Sequence, residues 1–358
     1  MFVRGVPRAR WGKAAALAVV LTAIALGAWE WRMRSLGLRV ADIDDGNSYW
    51  AVERRKVEAG PRDPVVIIGD SRILFGSDLD LWQHYTGIRP IQLALVGTSA
   101  RPFLHELAHD QHFAGMVVLG MSETVYFSDR AGVFTQALEY RHNESPSQRV
   151  GHSIQLQLSR VFAFLDVRRS LFGLLDQLPL RNREGYVSRG ANPFKLSESF
   201  ADRQTVMWAR MEADPEYRER ARAFWARRLE GRLRQANGKA YSLKLIAEVI
   251  ASTKADIETI RRRGGEVVLI RAPSTGPFLA SEHILVPRDK VWDPLVRATS
   301  AVAVYFEDYP EMQGLSLPEW SHVSAADQKR FTTAYVSVLC DKAAWLKRHG
   351  ATCLRSGQ

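Results

Sequence analysis

Cysteine is scarce in this chain, with two residues among 358. Cys340 and Cys353 lie 13 positions apart and therefore allow one disulfide at most. Such a bond would tie the C-terminal tail to the last predicted helix in an oxidising compartment. Two free, buried thiols are the alternative, and the spacing does not choose between them.

The chain also lacks an internal repeat and any nucleic-acid recognition motif. Its hydrophobic content of 46% argues against intrinsic disorder and allows a sizeable core. The net charge of +10 suits an anionic partner, and we expect a lipid surface or an acidic polysaccharide rather than nucleic acid. The arginine-rich stretch 215–235 is interleaved with glutamates, which is typical of a solvated, ion-paired helix.

A single long apolar run, Ala14 to Trp29, follows several basic residues near the N-terminus. This pattern predicts an uncleaved single-pass anchor in the inner membrane, with the rest of the chain in the periplasm or outside the cell. The rival is a cleaved secretory signal, because Ala23-Ile24-Ala25 resembles a cleavage site. Both interpretations place the remaining residues outside the cytoplasm.

The middle of the chain predicts an α/β fold. Short apolar segments are typical of buried parallel strands at 65–68, 91–96, 116–119, 266–270 and 301–306. Helical spacing between the second and third segments gives a βαβ order, which predicts a doubly wound sheet. We predict a membrane anchor and flank (1–40), an α/β domain (41–350) interrupted by a helical insertion (129–263), and a tail (351–358).

The tripeptide Gly69-Asp70-Ser71 directly follows the first predicted strand. Because ligands of open α/β sheets bind at the carboxyl ends of the strands, Ser71 is well placed for nucleophilic attack. The rival interpretation is that Asp70 and Ser71 merely cap a helix. The tripeptide alone does not decide between them.

Far downstream, Pro318-Glu319-Trp320-Ser321-His322 precedes the last predicted helix. The spacing lets Glu319 fold back onto one imidazole nitrogen of His322 while the other nitrogen faces Ser71. We therefore predict Ser71 as nucleophile, His322 as general base and Glu319 as the residue that orients the base. Asp308 is a reserve candidate for the acid.

Together these segments resemble the SGNH/GDSL hydrolase superfamily. The nucleophile block matches Val66 to Leu74, and the second block matches Leu93 to Gly97. The third block usually reads Gly-x-Asn-Asp, where this chain has Gly120-Met121-Ser122-Glu123, and the last block usually has Asp in place of Glu319. By this resemblance the oxyanion hole would comprise Ser71, Gly97 and Ser122.

The resemblance implies an SGNH-like, flavodoxin-like parallel sheet between helices and acyl transfer through serine, without a cofactor or metal. With the anchor, the chain resembles the tethered SGNH proteins that accompany membrane-bound O-acyltransferases in exopolysaccharide modification. The implied reaction is esterase or O-acyltransferase chemistry, commonly with acetyl groups, on an extracytoplasmic polysaccharide or similar ester. Because Ser122 replaces the usual Asn, a catalytically weak scaffold that binds glycan or a membrane acyltransferase is the alternative.

Three residues beside predicted strand ends are candidate substrate ligands: Arg72, Arg271 and Ser274. A second motif, His105-Glu106-Leu107-Ala108-His109, has the spacing of zinc peptidases. Helical periodicity places His105, His109 and His112 opposite an apolar face, so we expect a solvent-facing triplet, with no third ligand in a closed site, that binds metal weakly at most. No metal site is predicted there.

Overall fold

The computed structural model describes residues 10–43, 45–128, 135–166 and 194–353. These residues fall into two units. The first unit comprises the described residues 10–43 and 154–166. The second unit, which contains the parallel sheet, comprises the described residues of 45–153 and 194–353. The predicted insertion therefore contributes residues to both units.

Seven strands are described: β1 (Val65–Ile68), β2 (Ile91–Gln92), β3 (Met116–Gly120), β4 (Ser197–Ser199), β5 (Thr205–Met207), β6 (Glu266–Arg271) and β7 (Val302–Tyr305). Five of them form one parallel sheet in the order β2-β1-β3-β6-β7. Every residue of β1 and β3 is buried, as expected for strands covered on both faces. The prediction of a parallel α/β sheet is confirmed.

The described α-helices are α1 (Trp11–Ser35), α2 (Asn47–Ala59), α3 (Ser71–Gly76), α4 (Leu79–Thr86), α5 (Arg101–His109), α6 (Glu123–Tyr126), α7 (Gln136–Asn143), α8 (Pro146–Ser159), α9 (Ala209–Ala213), α10 (Pro215–Gln235), α11 (Leu243–Arg262), α12 (Gly276–Leu285), α13 (Trp292–Thr299), α14 (Ala325–Lys342) and α15 (Ala344–Arg348). Short 3-10 helices occur at Ala163–Leu165, Phe306–Asp308 and Pro310–Met312.

Helix α1 dominates the first unit. Its 25 residues span about 37 Å at ~1.5 Å per residue, which exceeds a hydrocarbon core of about 30 Å. The helix is longer than the predicted run, because it begins at Trp11 and continues beyond Trp29 to Ser35. It is long and apolar enough to cross a membrane.

Two groups of helices pack around the sheet. Helix α11 contacts α5, α13 and β6, while α14 contacts α3, α4 and β7. Trp82 of α4 donates its indole N–H to the Tyr335 hydroxyl of α14 at 2.8 Å, so a polar contact reinforces the second group. Helix α11 thus belongs to the layers around the sheet, although the predicted insertion included it.

The insertion is not wholly helical. Strands β4 and β5 pair antiparallel, and Arg203 between them is fully buried. Its guanidinium donates to the carbonyl of Gln92, the last residue of β2, at 2.8 Å and to the carbonyl of Ala94, two residues further on, at 2.7 Å. The insertion is thereby fixed to the end of an outer strand of the sheet by hydrogen bonds.

The C-terminal segment is linked by a disulfide between Cys340 of α14 and Cys353, with Cα atoms 5.6 Å apart. Thr352 donates its backbone N–H to the Thr86 carbonyl at the end of α4, at 3.0 Å. Of the two alternatives that the sequence left open, the structure has the disulfide between the tail and the helix. Of the predicted tail, residues 354–358 lie outside the described residues.

Candidate active site

Ser71 lies at the turn between β1 and α3. Asp70 caps the helix, because its carboxylate accepts from the Arg72 backbone N–H at 2.9 Å. Gly69 has φ +152°, and a Cβ there would lie 2.6 Å from the Gly120 carbonyl oxygen. The rival interpretation assigned the helix cap to both Asp70 and Ser71, but only the Asp70 side chain caps the helix. The Ser71 hydroxyl is therefore available for another contact.

That contact is with His322. The Ser71 Oγ lies 2.7 Å from His322 Nε2, and His322 Nδ1 lies 2.7 Å from Glu319 Oε1. The same Glu319 oxygen accepts from the His322 backbone N–H at 2.7 Å. Glu319 is fully buried and His322 is 4% exposed, whereas Ser71 is half-buried. The structure brings the three predicted catalytic residues together in one hydrogen-bonded chain.

The imidazole is held from other directions as well. The Phe75 ring packs against that of His322 with centroids 4.4 Å apart. Trp320 has φ +72°, an uncommon backbone conformation for an aromatic residue, and its carbonyl accepts from the Thr275 N–H at 2.9 Å. The loop that carries Glu319 and His322 is therefore fixed on both sides.

Asp308 does not take part in this chain. Its two carboxylate oxygens bind Arg288 at 2.6 and 2.8 Å on the surface. Glu319, in contrast, accepts from His322 directly. The alternative acid is thus occupied elsewhere.

Gly97 and Ser122 follow the two strands that flank β1. The Leu95 N–H donates to the Gly69 carbonyl at 3.0 Å, which brings the loop containing Gly97 alongside the nucleophile turn. Ser122 lies two residues beyond the end of β3, whose last residue, Gly120, approaches Gly69. Gly97 has φ +68°, and the Ser122 side chain makes no cap hydrogen bond with α6. Both predicted oxyanion residues lie at the same sheet edge as Ser71.

The three predicted substrate ligands lie in a buried ion network. Arg72 binds Glu282 at 2.6 Å, and Arg271 binds the other Glu282 oxygen at 2.6 Å. Ser274 donates to Glu282 at 2.7 Å, and Arg271 also lies 2.5 Å from Glu123. Because all five residues are at most 5% exposed, their visible role is structural, and direct substrate contact stays a prediction.

This network joins the segments that carry Ser71 and His322. Arg72 directly follows Ser71, and its Nε–H donates to the hydroxyl of Ser321, which directly precedes His322, at 3.3 Å. Its guanidinium also lies over the Phe278 ring at 5.4 Å. Arg72 therefore spans the segments that carry Ser71 and His322.

The two carboxylates of the network titrate in opposite directions. Burial opposes ionisation of Glu282, but the charges of Arg72 and Arg271 outweigh it and lower the Glu282 pKa to about 2. Burial raises the pKa of Glu123 to about 7, although Arg271 opposes that rise. Repulsion from Glu282 also raises the Glu123 pKa. Glu282 is therefore ionised at neutral pH, whereas Glu123 titrates near pH 7.

Helix α10 contacts the candidate site in a way that the sequence did not indicate. Arg222 donates to the Pro318 carbonyl at 2.8 Å and lies over the Trp320 ring at 5.3 Å. Further along, Arg232 donates to the Thr124 hydroxyl at 3.2 Å, two residues after Ser122. The interpretation of this helix as merely solvated is wrong for these two arginines, which are half-buried against the site. For Arg232 the sequence contains one signal. No glutamate stands three or four positions before it, so it has no ion-pair partner there on its own helix.

The histidine motif on α5 also differs from expectation. His105 and His109 are exposed and the apolar face is buried, as predicted. However, Asp256 of α11 joins them, with potential ligand atoms all within 4.8 Å of one another. The expectation that no third ligand approaches is wrong. The signal for this third ligand in the sequence is Asp256 itself, an acidic residue on the buried face of α11 that also carries Val249, Thr253, Ile257 and Ile260.

Comparison with known proteins gives no family for this chain. No protein-family model matches it, and no curated protein matches it.

Proposed function

We propose that this chain is an SGNH-like serine esterase or O-acyltransferase. The observation that carries the proposal is the hydrogen-bonded chain from Ser71 through His322 to Glu319, with both side-chain contacts at 2.7 Å. A buried carboxylate on one imidazole nitrogen and a serine hydroxyl on the other is the arrangement that activates serine for acyl transfer.

The reaction begins with His322 in one tautomer. Its Nδ1–H donates to Glu319, so Nε2 accepts the proton from the Ser71 hydroxyl. As Oγ bonds to the ester carbonyl carbon, that proton moves to Nε2, and Glu319 stabilises the imidazolium. The tetrahedral intermediate collapses when Nε2 returns the proton to the departing alcohol oxygen, which leaves acyl-Ser71.

The second half-reaction determines the product. A water or sugar hydroxyl attacks the acyl carbonyl, transfers its proton to His322 Nε2, and is acylated as the proton returns to Ser71 Oγ. Water gives an esterase, whereas a sugar hydroxyl gives an O-acyltransferase. The negative charge that develops in each step would be stabilised by the backbone N–H groups of Ser71 and Gly97 and by the Ser122 hydroxyl.

For the substrate we propose an acidic extracytoplasmic glycan or a similar ester. Arg232 supports this class, because it is half-buried beside Thr124 and has no carboxylate partner within the described residues. Burial lowers the Arg232 pKa, and the charge of Glu282, which makes no ion pair with Arg232, offsets this only in part. A substrate carboxylate at this position would supply that anion with charge-assisted hydrogen bonds.

Helix α1 supports the proposed location. With α1 as a single-pass anchor in the inner membrane, the sheet unit would face the periplasm, where a polysaccharide under export is accessible. A membrane-bound O-acyltransferase that supplies the acyl group across the membrane is the partner that this arrangement favours.

The test is covalent labelling of the full-length protein, purified in mild detergent, with a fluorophosphonate probe. We expect wild type to be labelled, Ser71→Ala and His322→Ala to lose labelling, and the exposed-serine control Ser153→Ala to keep it. Turnover of a chromogenic acetyl ester should follow the same order. A folded but unlabelled wild type would refute the proposal and favour a catalytically inactive scaffold that binds glycan or an acyltransferase.

A further inference from the structure

A three-residue cluster joins α5 and α11 outside the catalytic chain. His105 Nδ1 lies 3.0 Å from Asp256 Oδ1, and the His105 and His109 rings have centroids 4.1 Å apart. The two histidines are one helical turn apart on α5, whereas Asp256 comes from the adjacent helix. The three potential ligand atoms lie within 4.8 Å of one another.

Asp256 is in an unusual position for a carboxylate. Its side chain is 12% exposed, and within the described part of the chain its only hydrogen-bond or ion-pair partner is His105. A carboxylate that is buried without Lys or Arg is costly unless another cation compensates its charge.

His109 is oriented by the backbone. Its Nδ1 lies 2.8 Å from the His105 carbonyl oxygen, so Nδ1 carries the proton and donates it. The lone pair of Nε2 is therefore free and fixed in direction. Metal-binding histidines are commonly held in this way, because a hydrogen bond from one nitrogen determines the tautomer and orientation of the other.

We propose that His105, His109 and Asp256 bind a transition-metal dication of the Zn²⁺ type. Two imidazole nitrogens and one carboxylate oxygen are ligands that suit this class, and a fourth position remains for water because the histidines are exposed. A tetrahedral site requires ligand atoms about 3.3 Å apart, so the longest separation between the present atoms, which lie within 4.8 Å of one another, has to shorten by up to about 1.5 Å. Neutral His105 would bind the metal through Nδ1 with its proton on Nε2, so its hydrogen bond to Asp256 is exchanged for two bonds to the metal.

The site is not that of a peptidase. Glu106, which would have to activate water in such an enzyme, binds the buried Arg54 through both oxygens at 3.0 and 2.7 Å. Both of its oxygens are therefore occupied by that arginine. The metal would instead link α5 to α11, two helices that pack beside the sheet.

The experiment is a calorimetric titration of tag-free, full-length protein in detergent with Zn²⁺, after treatment with chelator. We expect one Zn²⁺ per chain, unaffected by excess Mg²⁺, which prefers an all-oxygen octahedral site. Asp256→Asn should weaken binding at least about 10-fold and His109→Gln should do the same. His112→Ala, an exposed histidine three residues beyond His109, is the matched control and should bind as wild type does.

Thermal unfolding gives a second readout. At Zn²⁺ about 100 times above the dissociation constant, the folded to unfolded ratio should rise about 100-fold in wild type and in the control, but not in the two cluster variants. Asp256→Asn keeps a hydrogen-bond acceptor for His105, so circular dichroism should remain native. Failure of wild type to bind Zn²⁺, or equal binding by folded Asp256→Asn and His109→Gln, would overturn the proposal.

Discussion

Replacing Glu282 with Gln should make the folded protein less stable, by an amount that depends on pH. The Glu282 pKa is about 2 in the folded protein, against an ordinary value of 4.5. The stabilisation from this shift is present above pH 4.5 and is lost as the pH falls toward 2. The difference corresponds to about 3 kcal/mol of unfolding free energy, similar to the ~3–5 kcal/mol lost when one partner of a buried ion pair is removed.

Glu123→Gln should have the opposite pH dependence. Because the folded pKa of Glu123 is raised to about 7, the folded protein retains a proton that the unfolded chain has released. The contribution of Glu123 to stability therefore decreases as the pH rises from about 4.5 to 7. Relative to wild type, this variant should gain about 3 kcal/mol between pH 4 and pH 8.

The assay is urea unfolding of full-length protein in detergent, followed by tryptophan fluorescence, at pH values from 4 to 8. The deficit of Glu282→Gln should stay near its full value at neutral pH, begin to shrink near pH 4.5 and be largely lost in a further measurement at pH 2.5, while that of Glu123→Gln should shrink toward alkaline pH. Glu258→Gln on the surface of α11 is the control and should follow wild type. If both network variants show the same pH slope, the assignment of one ionised and one poised carboxylate is refuted.

Three further outcomes are expected. Glu319→Gln should lower the esterase kcat about 1000-fold, because a charge about 4 Å from the imidazolium contributes ~4 kcal/mol at an effective dielectric constant near 20; a loss below threefold would contradict its role. Arg232→Ala should raise the KM for an acidic-sugar ester about tenfold, with little change in the KM for a neutral acetyl ester. The control Arg234→Ala should change neither KM. If Arg232→Ala raised both KM values equally, an anion subsite at Arg232 would be excluded. Cys353→Ser should lower the unfolding free energy by about 3 kcal/mol, since a disulfide that closes a loop of 13 residues contributes about that much. The measurement is urea unfolding beside wild type, with and without reductant. An unfolding midpoint equal to that of wild type in oxidising buffer would show that the disulfide does not form.

The sheet was predictable because its strands have a strong local signal. Val65–Ile68 is a run of four β-branched residues that ends in glycine, and such a run has no polar face to expose. The hairpin of β4 and β5 lacks that signal, since Ser197–Ser199 is polar and three residues long. Its position depends on Arg203, whose partners Gln92 and Ala94 lie more than 100 positions earlier in the chain.

The arrangement of the three candidate catalytic residues was predictable for a similar reason. Glu319 and His322 are three positions apart, so their contact is local, and Ser71 directly follows a recognisable strand. The network around Arg72 was not predictable, because Glu282 is 210 positions away and lies on a helix with no distinctive motif. An arginine beside a nucleophile looks the same in sequence whether it faces substrate or a buried carboxylate.

The insertion is part of the candidate site rather than an addition to it. Arg222 of α10 binds the carbonyl of Pro318, one residue before Glu319, and Glu212 of α9 accepts from the Ala325 N–H at 2.6 Å. These contacts hold the segment that carries the base at both ends. The same insertion reaches Thr124 through Arg232, so one helix connects the base loop with the predicted oxyanion side. Since the sheet alone supplies neither contact, changes in the insertion should alter both the geometry of the base and the choice of substrate.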